Sequence, residues 1–128
     1  MARRLKKPDR TVDAYCKAAA YLRLATELTQ SAMIEVSSLL PSGDGDKVFK
    51  AEQAVLRIKS ITEDSFFKDH PDLEEAYNHV FYGSVNPPYK SDAQAVICAS
   101  MRDRMRAILE RGLEQLQEPE QPQEQPQE

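Results

Sequence analysis

The sequence predicts an all-α fold: a single-domain four-helix bundle with short connections and a disordered C-terminal tail. Apolar residues recur at steps of three and four along most of the 128-residue chain, which is the period of an α-helix. No segment shows the sustained alternation of apolar and polar residues that is typical of a half-buried strand. Five of the eight prolines fall between the periodic segments, where they mark helix ends: Pro8, Pro41, Pro71, Pro87 and Pro88.

The first helix is predicted to run from Val12 to Leu40, because Pro41 and the Ser-Gly-Asp-Gly run behind it stop a helix. Thr11 or Asp9 is expected to cap its start. Its apolar residues form two stripes, one of them through Tyr21, that together cover more than half of the circumference. Such a helix is expected either to lie at the centre of its bundle or to share a face with a partner.

Three more helices are predicted from the residues that begin and end them. Gly83 is placed to end the third helix in the left-handed conformation, and Ser91 with Gln94 forms a capping box at the start of the fourth. The connection before the third helix holds Phe66 and Phe67, which we expect to fold onto the core because two exposed phenylalanines are costly. The predicted bounds are 46–62, 71–83 and 91–116.

Charge divides the chain into three parts. The chain carries 17 Lys and Arg against 21 Asp and Glu, a formal net charge of −4. Residues 1–10 hold five of the bases and one acid, and they are predicted to form a flexible basic arm. Residues 11–117 are predicted to form the helical bundle domain. Residues 118–128 contain only Glu, Pro and Gln, so they are predicted to be a disordered Glu/Pro/Gln tail.

Composition argues against several classes of protein. No apolar run approaches the ~18 residues of a membrane-spanning helix, and no apolar stretch of the signal-peptide kind follows the basic N-terminus. Two cysteines are too few for a disulfide framework, which favours reduced thiols and a cytoplasmic location. The four glycines fit neither a P-loop nor a dinucleotide-binding pattern. We therefore expect no cofactor, no membrane partner and no small-molecule substrate.

One four-residue motif resembles a catalytic motif. The run Asn86-Pro87-Pro88-Tyr89 is similar to the motif of amino-directed adenine methyltransferases, which implies a target amino group held by Asn86 and a flipped base stacked on Tyr89. Such enzymes present the motif on a parallel sheet beside a glycine-bearing turn, and the chain has neither signature. The alternative, which we favour, is a rigid turn between helices, since two prolines forbid helix continuation.

No other group of residues carries a recognisable chemistry. His70, Glu75 and His79 form the only cluster of histidines and carboxylates, but their spacing is not that of a known zinc motif. Cys16 and Cys98 are expected to be buried and inert. The sequence therefore predicts no catalytic, cofactor-binding or metal-ligating residue, and we expect that the chain is not an enzyme.

The function expected from these features is a non-enzymatic interaction or regulatory protein, acting through helix-face contacts with a protein partner or with itself. The excess apolar surface of the first helix indicates this. The partner-binding candidates are Tyr21, Leu24 and Leu28, and a homodimer is the simplest form of the hypothesis.

The alternative is a nucleic-acid-associated accessory factor that uses the basic N-terminal arm. Its candidate residues are Arg3, Arg4, Lys6 and Lys7, which could follow a phosphate backbone. The general appearance of the chain is similar to small accessory proteins of bacteria, phages and mobile elements. No aromatic residue is interleaved with these bases, so stacking on single strands is not expected.

Overall fold

Three long α-helices make up the fold in the computed structural model, which describes residues 4–117. The all-α prediction is confirmed, and these residues contain no strand. The four-helix bundle is wrong, because there are three α-helices and not four. The predicted tail lies outside the described residues. The elements are α1 (Val12–Ser37), α2 (Ser42–Asp69) and α3 (Asp92–Gln117), with short 3-10 turns at Lys7–Asp9 and Glu75–His79.

The missing helix is the third one that the sequence predicts, over residues 71–83. That stretch holds only the 3-10 turn Glu75–His79, followed by irregular backbone. Val80 and Phe81 are fully buried there. The guanidinium of Arg23 donates hydrogen bonds to backbone carbonyls of this stretch. These bonds, which come from α1, replace the ones that a helical ladder would form. Tertiary packing has overridden the local 3.6-residue pattern.

The second helix is longer at both ends than the bounds 46–62. It begins at Ser42, so the glycine-rich run predicted as a loop is the first turn of α2, with the amides of Asp44 and Gly45 bonded to the Pro41 carbonyl. It continues to Asp69 and carries Phe66 into the core. The expected burial of Phe66 is therefore confirmed, although on a helix and not on a connection.

The helix caps follow the sequence closely. Thr11 caps α1, since its hydroxyl accepts from the Ala14 amide at 3.1 Å. At the start of α3, Ser91 accepts from the Gln94 amide at 3.1 Å, and the Gln94 side chain accepts from the Lys90 amide at 2.7 Å. Side chains thus satisfy amides at both helix starts that the helical ladder leaves without a partner.

Helix α1 packs against both other helices. Tyr15 lies beside Ser65, and Val36 lies on the same groove as Val48, so α1 and α2 form an antiparallel hairpin closed by residues 38–41. The helix α3 packs along the first half of α1, where Arg104 forms a 2.6 Å ion pair with Asp13. The groove between the second half of α1 and α2 is lined by residues of these two helices, with none of α3 among the residues that line it.

The core lies at the base of the hairpin, around Phe66. Helix α1 has no buried residue beyond Thr26. We call the remaining part, residues 27–53, the outer hairpin. No helix of residues 4–117 is long and apolar enough to cross a membrane. The residues of the core cluster are Tyr15, Cys16, Ala19, Ala20, Phe66, Val80, Phe81 and Met101.

Candidate functional site

An open apolar groove runs along one side of the outer hairpin. Its volume is about 530 Å³. Leu28 borders the groove and is 62% exposed, so much of its apolar side chain contacts water. Small side chains form much of its floor, which lets another helix approach closely. The lining residues are Ala25, Leu28, Thr29, Ala32 and Val36 of α1 with Lys47, Val48 and Ala51 of α2.

The three partner-binding candidates of α1 lie near this groove but are not equivalent. Leu28 borders it and Leu24, one turn earlier, is half-buried. Tyr21 is 45% exposed and lies where α3 meets α1, on a shallow cavity that Ile108 and Arg111 also line. Leu28 therefore lies on the outer hairpin, Leu24 lies just before it on α1, and Tyr21 lies at the border with α3.

Helix α2 supplies a second row of apolar residues that the sequence analysis missed. Ile58 follows Ala51 by two turns and therefore lies on the same side of α2 as the groove. It is 52% exposed, and Ile61, one turn further, is exposed as well. Its spacing from Ala51 is also that of a core-facing stripe, so the sequence alone does not distinguish a buried from an exposed position here. We call Leu24, Leu28, Ala51 and Ile58 the hairpin face.

A buried arginine on the opposite side of the hairpin was also missed. The guanidinium of Arg23 donates to the carbonyls of Val80 at 2.8 Å, Tyr82 at 2.8 Å and Gly83 at 2.9 Å, and to the carbonyl of His79. Burial lowers its pKa, although a guanidinium remains charged at neutral pH. Gly83 has a φ of +86°, which lets its carbonyl turn toward Arg23. This arginine acts as a structural clamp.

The clamp is extended by a lysine of α2. The ammonium of Lys59 lies 4.6 Å from the centre of the Tyr82 ring, a cation–π contact. Burial, reinforced by the nearby Arg23 charge, lowers the pKa of Lys59. Two cations thus fix one turn of the chain to the hairpin, and neither is on the hairpin face.

The nucleic-acid candidates are in part outside the described residues. Arg3 lies there, whereas Arg4, Lys6 and Lys7 are exposed. Arg4 lines a cavity of about 510 Å³ together with Lys68 and the ion-paired Arg10. Of the segment predicted as a flexible arm, the part from Lys7 to Asp9 is a 3-10 turn. The bases therefore lie at the base of the hairpin, away from the groove.

A hydrogen-bond network fixes this segment to the end of α2. Arg10 donates to both carboxylate oxygens of Asp69, from Nε at 2.7 Å and from Nη2 at 3.2 Å. Tyr15 donates to Asp69 at 2.6 Å, so Ser65 must be the donor in its own 2.6 Å contact with Tyr15. The Arg10 guanidinium and the Tyr15 hydroxyl hold the pKa of Asp69 well below its usual range. His70 Nε2 donates to the Arg10 carbonyl at 2.7 Å.

This network predicts an acid-sensitive contribution to stability. The pKa of Asp69 is lower in the folded chain than its unfolded value of about 3.9, so the unfolded state binds more protons in acid. The stabilisation is complete at neutral pH and is lost as the pH falls below about 5 toward the folded-state pKa. We expect Asp69→Asn to lower the urea midpoint at pH 7, and we expect this effect to shrink progressively as the pH falls below about 5, with part of it remaining at pH 3.

The control for this prediction is Asp46→Asn, which removes a carboxylate that is exposed and has no ion pair within residues 4–117. A difference between wild type and Asp69→Asn that stays constant from pH 7 to pH 3 would contradict the assignment.

The histidine–carboxylate cluster is not assembled. His70 is bonded to the Arg10 carbonyl, whereas His79 and Glu75 line a separate polar cavity beside the start of α3. Residues 4–117 hold no group of three or more His, Cys, Asp or Glu side chains that could bind a metal ion. Burial raises the pKa of both thiols, Cys16 and Cys98, which makes them poor nucleophiles.

The methyltransferase-like motif lies in the irregular backbone before α3. Asn86 is exposed, and its backbone amide donates to the Ser84 hydroxyl at 3.0 Å. Tyr89 donates to the Val85 carbonyl at 3.0 Å, so its hydroxyl closes the turn. Because the described residues contain no sheet to present the motif, Asn86 and Tyr89 do not have the setting that the resemblance implies.

Comparison with known proteins provides no match whose function bears on this chain. No protein-family model, curated protein or solved structure matches it. A function inferred for the chain therefore rests on its own geometry and chemistry. The exposed hairpin face is the feature with the clearest chemical consequence.

Proposed function

We propose that the chain is a non-enzymatic interaction or regulatory protein that acts through its hairpin face, with a protein partner or with itself. The observation that supports this is the apolar groove between α1 and α2, flanked by the exposed Leu28 and Ile58. Small domains seldom leave contiguous apolar surface on adjacent helices without a use for it.

The energetics of such a face favour association. Full burial of a leucine or isoleucine side chain is worth about 1.5–3 kcal/mol, so covering the exposed halves of Leu28 and Ile58 contributes roughly half of that for each. The flat floor of Ala25, Ala32 and Ala51 adds packing at little cost in side-chain entropy. Helix-in-groove recognition uses apolar anchors three, four or seven residues apart, and Leu24 and Leu28 are four residues apart.

The function is tested by capture from a lysate of the source cells with immobilised full-length chain. We expect wild type to retain a defined set of proteins, its own chain included, and the double variant Leu24→Asp/Leu28→Asp to lose them. Leu116→Asp, on α3 at a position 83% exposed, is the matched control and should retain them. Circular dichroism confirms that each variant is folded. Capture that the double variant leaves unchanged would overturn the proposal.

The alternative proposal, a nucleic-acid-associated accessory factor, is supported by Arg4, Lys6 and Lys7 at the base of the hairpin with the exposed Lys68 nearby. The same capture experiment separates the two proposals when it is repeated after nuclease treatment. Proteins tethered through nucleic acid are lost on nuclease treatment and fall steeply with salt, while they do not depend on Leu28.

A further inference from the structure

The geometry points to a second copy of this chain as the occupant of the hairpin face, with two hairpins forming an intermolecular four-helix bundle about a two-fold axis parallel to α1 and α2. This inference rests on the interaction function proposed above and names the partner. It is carried by the dimensions of the hairpin face, by the side chains along it and by the placement of two charges.

The dimensions suit a pair of hairpins. Two packed helices are about 20 Å wide, and α2 from Ser42 to Ile61 is about 30 Å long, so the side they present has a projected area of about 600 Å². Stable interfaces bury about 800 Å² on each partner once surface relief is included. An antiparallel hairpin buries only the seam between its two helices, and a second hairpin completes the bundle.

Two charged residues lie in line with the apolar anchors at the loop end of the hairpin. Glu35 follows Leu28 by two turns and therefore shares its side of α1, while Lys47 lines the groove itself. Between Leu24 and Ser37, α1 has no basic residue, so Glu35 has no cation on its own helix nearby. Within residues 4–117, the one salt bridge of Lys47 is with Asp44, at 3.2 Å, in an exposed pair of the kind that contributes little.

The axis decides which helices face each other. With the axis parallel to the hairpins, α1 of one copy faces α2 of the other, and the two loops lie at the same end. Glu35 lies two residues before the end of α1 and Lys47 five residues after the start of α2, so their heights differ by about 5 Å. Two symmetric pairs, each joining Glu35 to Lys47 of the second copy, then form at once.

The other face-to-face arrangement has its axis perpendicular to the helices and is disfavoured by the same residues. It places α1 against α1 with the loops at opposite ends, so Glu35 lies far from Lys47 of the second copy. Both arrangements make every pair of adjacent helices antiparallel, so the helix dipoles do not distinguish between them. Charge therefore selects the parallel axis.

The inference is tested on purified full-length chain by sedimentation velocity over a concentration series. We expect a monomer–dimer equilibrium for wild type and for the control Leu116→Asp, and a monomer for Leu28→Asp. The single variants Glu35→Lys and Lys47→Glu should each weaken the dimer about tenfold, because each sets like charges opposite one another. The double variant Glu35→Lys/Lys47→Glu should restore the wild-type dissociation constant.

Three results would overturn the inference. If the wild-type chain is monomeric throughout the concentration series, a second copy is not the occupant of the hairpin face. If capture from lysate nevertheless depends on Leu24 and Leu28, the proposed interaction function stands without the dimer. A dimer that Leu28→Asp leaves intact forms elsewhere on the chain. A dimer that the charge-swapped double variant does not restore has a different axis from the one inferred.

Discussion

Replacing Arg23 with leucine is expected to lower the free energy of unfolding by about 3–5 kcal/mol. The substitution removes the guanidinium donors to the carbonyls of His79, Val80, Tyr82 and Gly83, and leaves the buried Val80 acceptor without this partner. Charge-assisted hydrogen bonds contribute about 1.5–3 kcal/mol each in isolation, but they share one side chain and do not add fully. Urea denaturation followed by circular dichroism gives the change.

Arg23→Lys separates charge from geometry. A lysine keeps the positive charge but has one nitrogen, so it cannot reach carbonyls arranged around a planar fork, and we expect a loss of about 2 kcal/mol. Amide hydrogen exchange should accelerate first between Val80 and Gly83, because those residues lose their link to α1. Arg106→Leu, at an exposed position of α3, is the control and should change stability by less than about 0.5 kcal/mol. Equal effects of the two leucine variants would refute the clamp.

Replacing Phe66 with alanine is expected to cost about 3–5 kcal/mol of unfolding free energy. Phe66 is 0% exposed, and its ring lies 5.1 Å from that of Tyr15 and 5.9 Å from that of Phe81, measured between ring centres. Truncation removes these contacts and leaves a cavity between α1, α2 and the stretch before α3, which backbone from three different parts of the chain cannot easily close.

The same helix provides the matched comparison for this substitution. Phe49 is 51% exposed near the start of α2, so Phe49→Ala deletes the same atoms from a site that already contacts water. We expect its cost to be below about 1 kcal/mol. If Phe49→Ala and Phe66→Ala shift the urea midpoint equally, the core is not where the structure puts it.

Local chemistry made much of the fold predictable. Thr11 and Ser91 cap helices as expected because a cap depends on residues within one turn, and the burial of Phe66 follows from hydrophobicity alone. The absent third helix was not predictable in this way. The apolar spacing of that stretch is helical, but its backbone carbonyls accept hydrogen bonds from Arg23, more than fifty positions earlier in the chain. An arginine within an apolar stripe is ordinarily interpreted as a surface residue, so the sequence does not indicate this contact.

The candidate site was half predictable for a related reason. Leu24 and Leu28 stood out because α1 has more apolar surface than one contact requires. Ile58 did not, because in a bundle of four helices within one chain it would have faced a helix that the structure lacks. The incorrect number of helices and the missed Ile58 therefore have the same cause. The charges of Glu35 and Lys47 indicate a contact only once the position of the groove is known.

The position of the core has a thermodynamic consequence for the loop end of the hairpin. Of residues 27–53 only Glu52 is buried, so tertiary packing gives this part little support. Gly43 and Gly45 each reduce the helix propensity of the first turns of α2 by about 1 kcal/mol. Opening of this end should therefore cost much less free energy than global unfolding. Any partner that covers the groove must also hold these turns helical. Its apparent affinity will rise with helix-promoting conditions, so temperature and helix propensity regulate binding from outside the contact itself.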